Sequence, residues 1–320
     1  MTQVVLMHGK DTDSQGKWYS WFGEQVNILG YQYHAPDLPS AENPDIEEWM
    51  LELDKANINE EAILVGHSRG GVAILRWLEK QPKKFSVKRV VLVATNSGLL
   101  SDRYITQESN KGFYTENGYD FEKIKSHCED FIVLHSQDDH IVPYEQGVNI
   151  ARGLQGKLIT FEDRRHWGSD TEGKLQIQIP EILEQCITFH ANKALLIPYN
   201  SQREILIQDR RNYKKPDWGF FGGGIEDGET PLQAVIRETK EELDLDITPD
   251  DIQRVGFQIS NFNGVHVIRY LYLYRTDQKD FTVFEGQGAH WMSFDVAKKY
   301  MASDHERFDD IVKLLLQYEQ

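Results

Sequence analysis

At 320 residues the chain is longer than one typical domain and comfortable for two. Its 40% hydrophobic and 27% charged content excludes disordered, collagen-like and coiled-coil classes. The formal net charge is −16, with 19 basic against 29 acidic residues in 1–190 and 16 against 22 in 191–320, so neither half offers the broad positive field that polymeric nucleic acid or an anionic membrane requires. A small anionic substrate is still admissible if a metal ion neutralises it locally. No apolar run approaches the ~20 residues needed to cross a bilayer, and the N-terminus lacks the pattern of a signal peptide. Two cysteines, Cys128 and Cys186, make no disulfide framework and fit buried or free thiols. A cytoplasmic location is the expectation.

Residues 4–7, 62–66, 90–94, 131–135 and 157–161 are short runs rich in Val, Ile and Leu. They read as strands buried on both faces of a parallel sheet. Amphipathic segments 18–29, 46–56, 71–80, 144–153 and 173–189 alternate with them, which predicts a doubly wound α/β domain. Gly66-His67-Ser68-Arg69-Gly70 fits G-x-S-x-G. Three fixed residues match by chance in roughly one chain in ten of this length. The placement carries more weight, because the motif sits between a buried strand and a helix, where a nucleophile elbow belongs. Asp138 and Asp139 follow strand 131–135, and His166 follows strand 157–161.

This order resembles the α/β-hydrolases, and the short length resembles the small retinoblastoma-binding-protein-like serine hydrolases. The resemblance implies Ser68 as nucleophile, His166 as base and Asp139 as the residue that orients it, acting on a small ester or amide. Family members place the acid four residues before the Pro of this loop, here Pro143, which selects Asp139 over Asp138. The oxyanion hole would use the backbone N–H of Arg69 and one near Gly9 and Lys10. The plainer reading is a doubly wound domain whose Ser68 caps a helix. His8, His67, His127, His135, His140 and His190 read as structural or surface residues. Trp18, Tyr19, Trp21 and Phe22 suit an acyl pocket or core packing, and no lid insertion is evident between 90 and 131, a stretch of moderate length with room for a small cap.

After residue 190 the rhythm changes. Segments 194–198 and 204–208 read as neighbouring strands across a polar turn at 199–203. A Gly-rich loop at 222–224, a helix at 231–243 and further strands follow, the clearest at 265–274. Few connections here could be right-handed βαβ crossovers, so a mixed sheet is expected, with the domain boundary near 191 and domains of 1–190 and 191–320. Thr230 is placed to cap the helix, with Pro231 in its first turn. Glu238, Glu241 and Glu242 then share one helix face. Three carboxylates this close repel unless a cation sits among them, and hard oxygen donors favour Mg²⁺ or Mn²⁺, which bridge to pyrophosphate oxygens. The alternative is a solvated amphipathic helix laced with salt bridges.

Gly223, Glu229, Arg237, Glu238, Glu241, Glu242 and Leu245 resemble the Nudix pattern G-x5-E-x7-R-E-U-x-E-E-x-G-U, where U is bulky and aliphatic. Thr239 at the first U and Asp244 at the penultimate Gly depart from it. Chance agreement at this spacing is on the order of one in 10⁵. The resemblance implies an α/β/α sandwich and Mg²⁺ (or Mn²⁺)-dependent hydrolysis of a nucleoside diphosphate derivative. Glu238, Glu241 and Glu242 would hold metal, Glu241 and Glu242 would act in catalysis, and a Glu229–Arg237 pair would brace the loop against the helix. Segment 285–297 resembles the stretch of MutT-type pyrophosphatases that adds a metal-site carboxylate. That makes Glu285 a further ligand or base, against the plainer reading of an ordinary loop acid, and tilts the substrate toward nucleoside triphosphates. Gly223 would let the substrate approach, and Arg210 and Arg211 would meet its phosphates or form a solvated turn. Tyr213, Trp218, Phe220 and Phe221 would stack on a base or pack.

Three whole-chain readings follow: a bifunctional hydrolase, a Nudix pyrophosphatase whose first domain is a binding or dimerisation module, and a non-catalytic regulator that binds a nucleotide-like ligand. The full set of glutamates disfavours the third. Ser68, Asp139 and His166 together disfavour the second, and a homodimer stays open in each.

Overall fold

The computed structural model describes residues 2–100, 112–168, 178–212, 214, 217–301 and 308–317. The chain divides into two compact units, Met1–Thr188 and Phe189–Gln320.

In the first unit β1 (Gln3–Met7), β2 (Gln32–His34), β3 (Ile63–His67), β4 (Arg89–Val93), β5 (Phe131–Ser136) and β6 (Lys157–Phe161) form one parallel sheet in the order β2-β1-β3-β4-β5-β6. Every residue of β1, β3 and β5 is buried, which is why these strands stand out as unbroken apolar runs. The edge strand β2 spans three residues, none fully buried, and leaves no such run. Among the described residues six helices intervene or follow: α1 (Tyr19–Ile28), α2 (Ile46–Lys55), α3 (Arg69–Lys80), α4 (Phe121–Lys125), α5 (Tyr144–Leu154) and α6 (Pro180–Cys186). The five-residue α4 is too short for a helical period to show in the sequence. The N-terminal part of the helix expected at 173–189 lies outside the described residues, and the described part is α6.

Because all six strands point the same way, their C-terminal ends share one edge of the sheet. Gly9 follows β1, Ser68 follows β3, Asn96 follows β4, Asp139 follows β5 and His166 follows β6. In open α/β sheets this edge, near the point where strand order reverses, is where ligands bind. Buried Arg76 of α3 steadies the segment after β4, donating to the carbonyls of Gly98 (3.0 Å), Phe113 (3.2 Å) and Gly118 (2.9 Å). Both cysteines are buried and free, and burial pushes the Cys128 thiol up to about 11.

The second unit contains β7 (Ala191–Tyr199), β8 (Glu204–Asp209), β9 (Trp218–Gly219), β10 (Phe221–Gly224), α7 (Pro231–Leu243), β11 (Ile252–Phe262), β12 (Val265–Arg275), β13 (Gly288–Ser293), α8 (Phe294–Met301) and α9 (Phe308–Gln317). Its sheet runs β11-β12-β7-β8-β13, with β10 paired to β7 and β9 to β8. Only the β7–β12 pairing is parallel among these, so the sheet is mixed as expected. Leu195, Ile197 and Tyr199 of β7 join one apolar cluster with Ala297, Met301, Phe308, Ile311 and Leu315 of α8 and α9. The alternate residues Ala194 and Leu196 point to the other face and are also fully buried, and α7 packs on β7 and β10. β11 is not evident from sequence because a register shift between Arg254 and Gly256 breaks its alternation. Its hairpin turns at Asn263-Gly264, both at positive φ (53° and 87°). Among the described residues, no helix is long and apolar enough to cross a membrane.

Candidate active sites

In the first unit β3 runs directly into Ser68, and α3 starts at the next residue. Ser68 has φ 52° and ψ −120°, a conformation that L residues with a β-carbon rarely adopt, which lifts its side chain clear of strand and helix. The turn closes only because its neighbours are small: a β-carbon on Gly70 would collide with the Met7 carbonyl oxygen. Ser68 Oγ lies 2.9 Å from His166 Nε2, and His166 Nδ1 lies 2.9 and 3.1 Å from the two oxygens of Asp139. The Asp139 carboxylate is fully buried and accepts the N–H groups of Ile141 and Val142, each at 2.9 Å. Asp138 turns away, its Oδ1 accepting from Ser136 Oγ (2.6 Å) and the Arg165 N–H (2.7 Å).

Gly9 and Lys10 differ in what their backbones can do. The Gly9 N–H is directed at Tyr19 Oη (3.4 Å), and the missing side chain leaves room beside Ser68 Cβ. Lys10 and Arg69 both border a cavity of about 310 Å³ that reaches Ser68 and His166. The N–H of Arg69 belongs to the first turn of α3, whose donors have no acceptor within the helix. Trp18, Tyr19 and Phe22 are fully buried core residues, and Tyr114 borders the cavity.

In the second unit α7 begins with a full capping box between Thr230 and Gln233. It ends at Asp244 in the left-handed conformation (φ 51°), a position that Asp tolerates better than most residues. Thr239 is buried, and its hydroxyl donates to the Val235 carbonyl (2.6 Å) within the helix. Arg237 grips Glu229 with two bonds of 3.0 Å and also donates to the Gly224 carbonyl (3.0 Å), which ties the Gly-rich loop to the helix. Gly222 (φ 114°) donates its N–H to Glu242 Oε2 at 2.8 Å, and a β-carbon there would strike the Ala194 carbonyl. Gly223 has the Glu238 carboxylate directly against it.

Glu242 is only 3% exposed, and burial pushes its carboxyl up to about 7, with Glu285 and Glu238 adding to the rise. The N–H of Phe284 donates to the Glu242 carbonyl (2.9 Å), which fastens the segment carrying Glu285 to α7. Of the expected metal set of Glu238, Glu241, Glu242 and Glu285, Glu238 and Glu285 act on the Glu242 carboxyl through their charge. Among the described residues, no three His, Cys, Asp or Glu side chains are grouped to hold an ion. The chain's own cations hold several of these acids: Glu238 and Glu241 pair with Arg237 (2.9 and 3.3 Å), and Glu285 pairs with Lys214 (2.5 Å). Glu241 is the most exposed of the acids that pair with Arg237. Arg211 is held by Asp209 (2.7 Å) and lies over the Trp218 ring, and Arg210 donates to the Trp218 carbonyl (2.8 Å). Trp218, Phe220 and Phe221 are buried, and Tyr213 lies outside the described residues.

A family model described as Serine hydrolase matches residues 4–177, more than half of the chain. The chain belongs to the serine hydrolase family. "Serine hydrolase RBBP9" of Rattus norvegicus is 29% identical over 171 residues, which cover 52% of this chain and 87% of that protein. The crystal structure of the ydeN gene product from B. subtilis superposes with a TM-score of 0.50 at 26% identity, covering 57% of this chain and 96% of that one. A family model described as NUDIX domain matches residues 189–310. "RNA pyrophosphohydrolase" of Pseudoalteromonas translucida is 31% identical over 128 residues, 38% of this chain and 68% of that protein. The chain is thus a serine hydrolase domain followed by a Nudix domain.

The serine hydrolase unit uses a residue that sequence reasoning set aside. His67 is completely buried, and burial holds its imidazole neutral, with a pKa well below the usual value. Its Nδ1 accepts the Tyr19 hydroxyl (2.6 Å), and its Nε2–H donates to the His166 carbonyl (3.1 Å), a tautomer assigned from these two partners. His67 therefore positions the backbone of the triad histidine, a contact 99 residues apart in sequence that no local pattern announces. His67→Phe keeps the ring's bulk and removes both bonds. It is expected to lower kcat for ester hydrolysis by about 10²-fold with KM little changed, measured by steady-state kinetics.

In the Nudix unit the donor chemistry fits a hard divalent cation. Glu238, Glu242 and Glu285 offer oxygen donors, and their mutual repulsion at a buried carboxyl is what such an ion relieves.

Proposed function

We propose that the chain is a bifunctional hydrolase. In the serine hydrolase unit, Ser68 attacks the carbonyl carbon of a small ester or amide while His166 Nε2 takes its proton. Asp139 keeps the proton of His166 on Nδ1 and stabilises the imidazolium that forms. The backbone N–H groups of Arg69 and Lys10 receive the developing oxyanion, with Gly9 serving as clearance rather than donor. Collapse of this intermediate breaks the ester or amide bond, with His166 giving its proton to the departing alcohol or amine. Water then releases the acyl group from Ser68, with His166 again acting as base. The unbroken run of bonds from Ser68 through His166 to Asp139, starting from a strained serine, carries this reading.

In the Nudix unit the substrate is a small nucleotide, a nucleoside diphosphate joined to a further group, with nucleoside triphosphates favoured. Glu238, Glu242 and Glu285, joined by Glu241, would hold Mg²⁺ or Mn²⁺, which when bound neutralises the pyrophosphate and activates water. Arg237 and Glu229 keep the loop and helix in register for that site. Gly223 leaves room for the substrate, and Arg211, more than half exposed beside Trp218, is available to its phosphates. The relative named RNA pyrophosphohydrolase adds 5′-phosphorylated RNA to the compounds worth testing, although the acidic balance of 191–320 favours small ones.

The test is a fluorophosphonate probe on the full chain, beside a screen of nucleoside triphosphates, dinucleotides, nucleotide sugars, ADP-ribose and 5′-triphosphorylated RNA with and without Mg²⁺. Labelling of Ser68 and Mg²⁺-dependent release of a nucleotide are the expected results. No labelling returns the first unit to a binding or dimerisation module. No turnover of any compound removes the pyrophosphatase reading.

A further inference from the structure

We infer that the Ser68 cavity selects acyl compounds carrying a second, anionic group, a carboxylate or a phosphate, and that Arg69 and Lys17 are its receptor. This rests on the reading of Ser68 as nucleophile. The cavity of about 310 Å³ suits a short acyl chain, and its rim is charged against the character of the protein. In a chain with 51 acidic and 35 basic residues, Lys10, Lys17 and Arg69 border this cavity against one acid among the described residues, Asp11, which pairs with Lys10 (3.8 Å).

Two of these cations are held without the partners a buried charge needs. Arg69 is 9% exposed and its guanidinium lies 5.4 Å from the centre of the Phe113 ring. Its Nη1 is shielded from solvent and has no hydrogen-bond acceptor among the described residues. Leaving a charged donor unmet in this way is costly, and a planar fork of N–H groups matches a carboxylate or a phosphate. Lys17 is fixed at φ 51°, just ahead of α1, with its stem beside Gly168. Among the described residues no salt bridge involves its ammonium, and burial pulls its pKa down to about 8 against the opposing influence of Asp139 and Asp11. Offsetting the charge of Asp139 would account for Lys17 alone, but it leaves the orphaned Arg69 donor unexplained. An anion in the cavity offsets the charge of both cations that border it, and it does so beside the nucleophile.

The experiment uses the full chain and three 4-nitrophenyl esters of matched length: pentanoate, hydrogen glutarate and 4-phosphonobutanoate. At least one anionic ester is expected to exceed pentanoate in kcat/KM by about tenfold or more, a margin of the size that charge-assisted hydrogen bonds supply. The faster of the two identifies carboxylate or phosphate as the group recognised. Lys17→Met and Arg69→Met, the second keeping the backbone N–H, should each reduce that preference by about tenfold. The wild-type preference needs no variant, so a misfolded substitution does not blunt the test. If pentanoate is cleaved as fast as both anionic esters, or the preference survives both variants, the inference is overturned while Ser68 remains the nucleophile. If the wild type takes no fluorophosphonate label and cleaves none of the three esters, the nucleophile reading falls and this inference falls with it.

Discussion

Ser68→Ala is expected to lower ester hydrolysis by about 10⁴-fold or more and to abolish fluorophosphonate labelling, with Mg²⁺-dependent nucleotide hydrolysis by the same preparation unchanged. The size follows from what the hydroxyl does. It is the atom 2.9 Å from His166 Nε2, and without it the His166–Asp139 pair has no nucleophile to activate. The fold should tolerate the change, because the Ser68 side chain makes no capping bond to α3 and alanine meets the same φ of 52° at similar cost. A serine kept only as a helix cap would give the opposite pattern, no labelling of the wild type and a loss of stability in the variant. Unchanged nucleotide turnover is expected because Ser68 and the α7 glutamates fall in separate units. Full ester hydrolysis by the variant would remove Ser68 from the mechanism.

The parts legible in the sequence are those with local causes. Buried parallel strands are apolar along their whole length, so β1, β3, β4 and β5 show as runs, and the elbow shows as glycines around a serine between a strand and a helix. The capping box at Thr230 and the left-handed end at Asp244 are equally local, and both are expressed within a few residues. What stayed hidden depends on chain segments meeting from a distance. The link from His67 to the His166 carbonyl, the approach of Lys17 to the cavity and the orphaned donor of Arg69 exist only once the sheet has assembled. The acid cluster was legible as residues but not as geometry. Helical spacing puts Glu238, Glu241 and Glu242 on one face, yet Arg237 on the same helix competes for two of them, and Lys214 competes for Glu285. β11 was hidden for a different reason, since one bulge shifts its inward side by a residue and cancels the period-two signal.

Glu242→Gln is expected to lower Mg²⁺-dependent nucleotide hydrolysis by about 10³-fold or more, the scale seen when one charged or polar group at a developing charge is removed. Glutamine fills the same volume and its side-chain oxygen can still accept the Gly222 N–H, so the Gly-rich loop should keep its shape. The variant also separates charge from packing through pH. Wild-type Glu242 holds its proton up to about pH 7, mainly because it is buried, whereas in the unfolded chain it releases the proton near the ordinary glutamate value. Between those two values the unfolded state binds fewer protons than the folded state, so metal-free stability must fall as pH rises, by about 3 kcal/mol in total. Glutamine has no proton to lose, so calorimetry of the full chain should show the variant's Nudix transition above that of the wild type at pH 8 and level with it below pH 4.5. Added Mg²⁺ should recover the wild-type transition at pH 8, because a cation stabilises the carboxylate that burial disfavours, and should shift the variant much less. Equal Mg²⁺ shifts in the two proteins, or undiminished turnover in the variant, would show that Glu242 neither meets the metal nor serves the reaction.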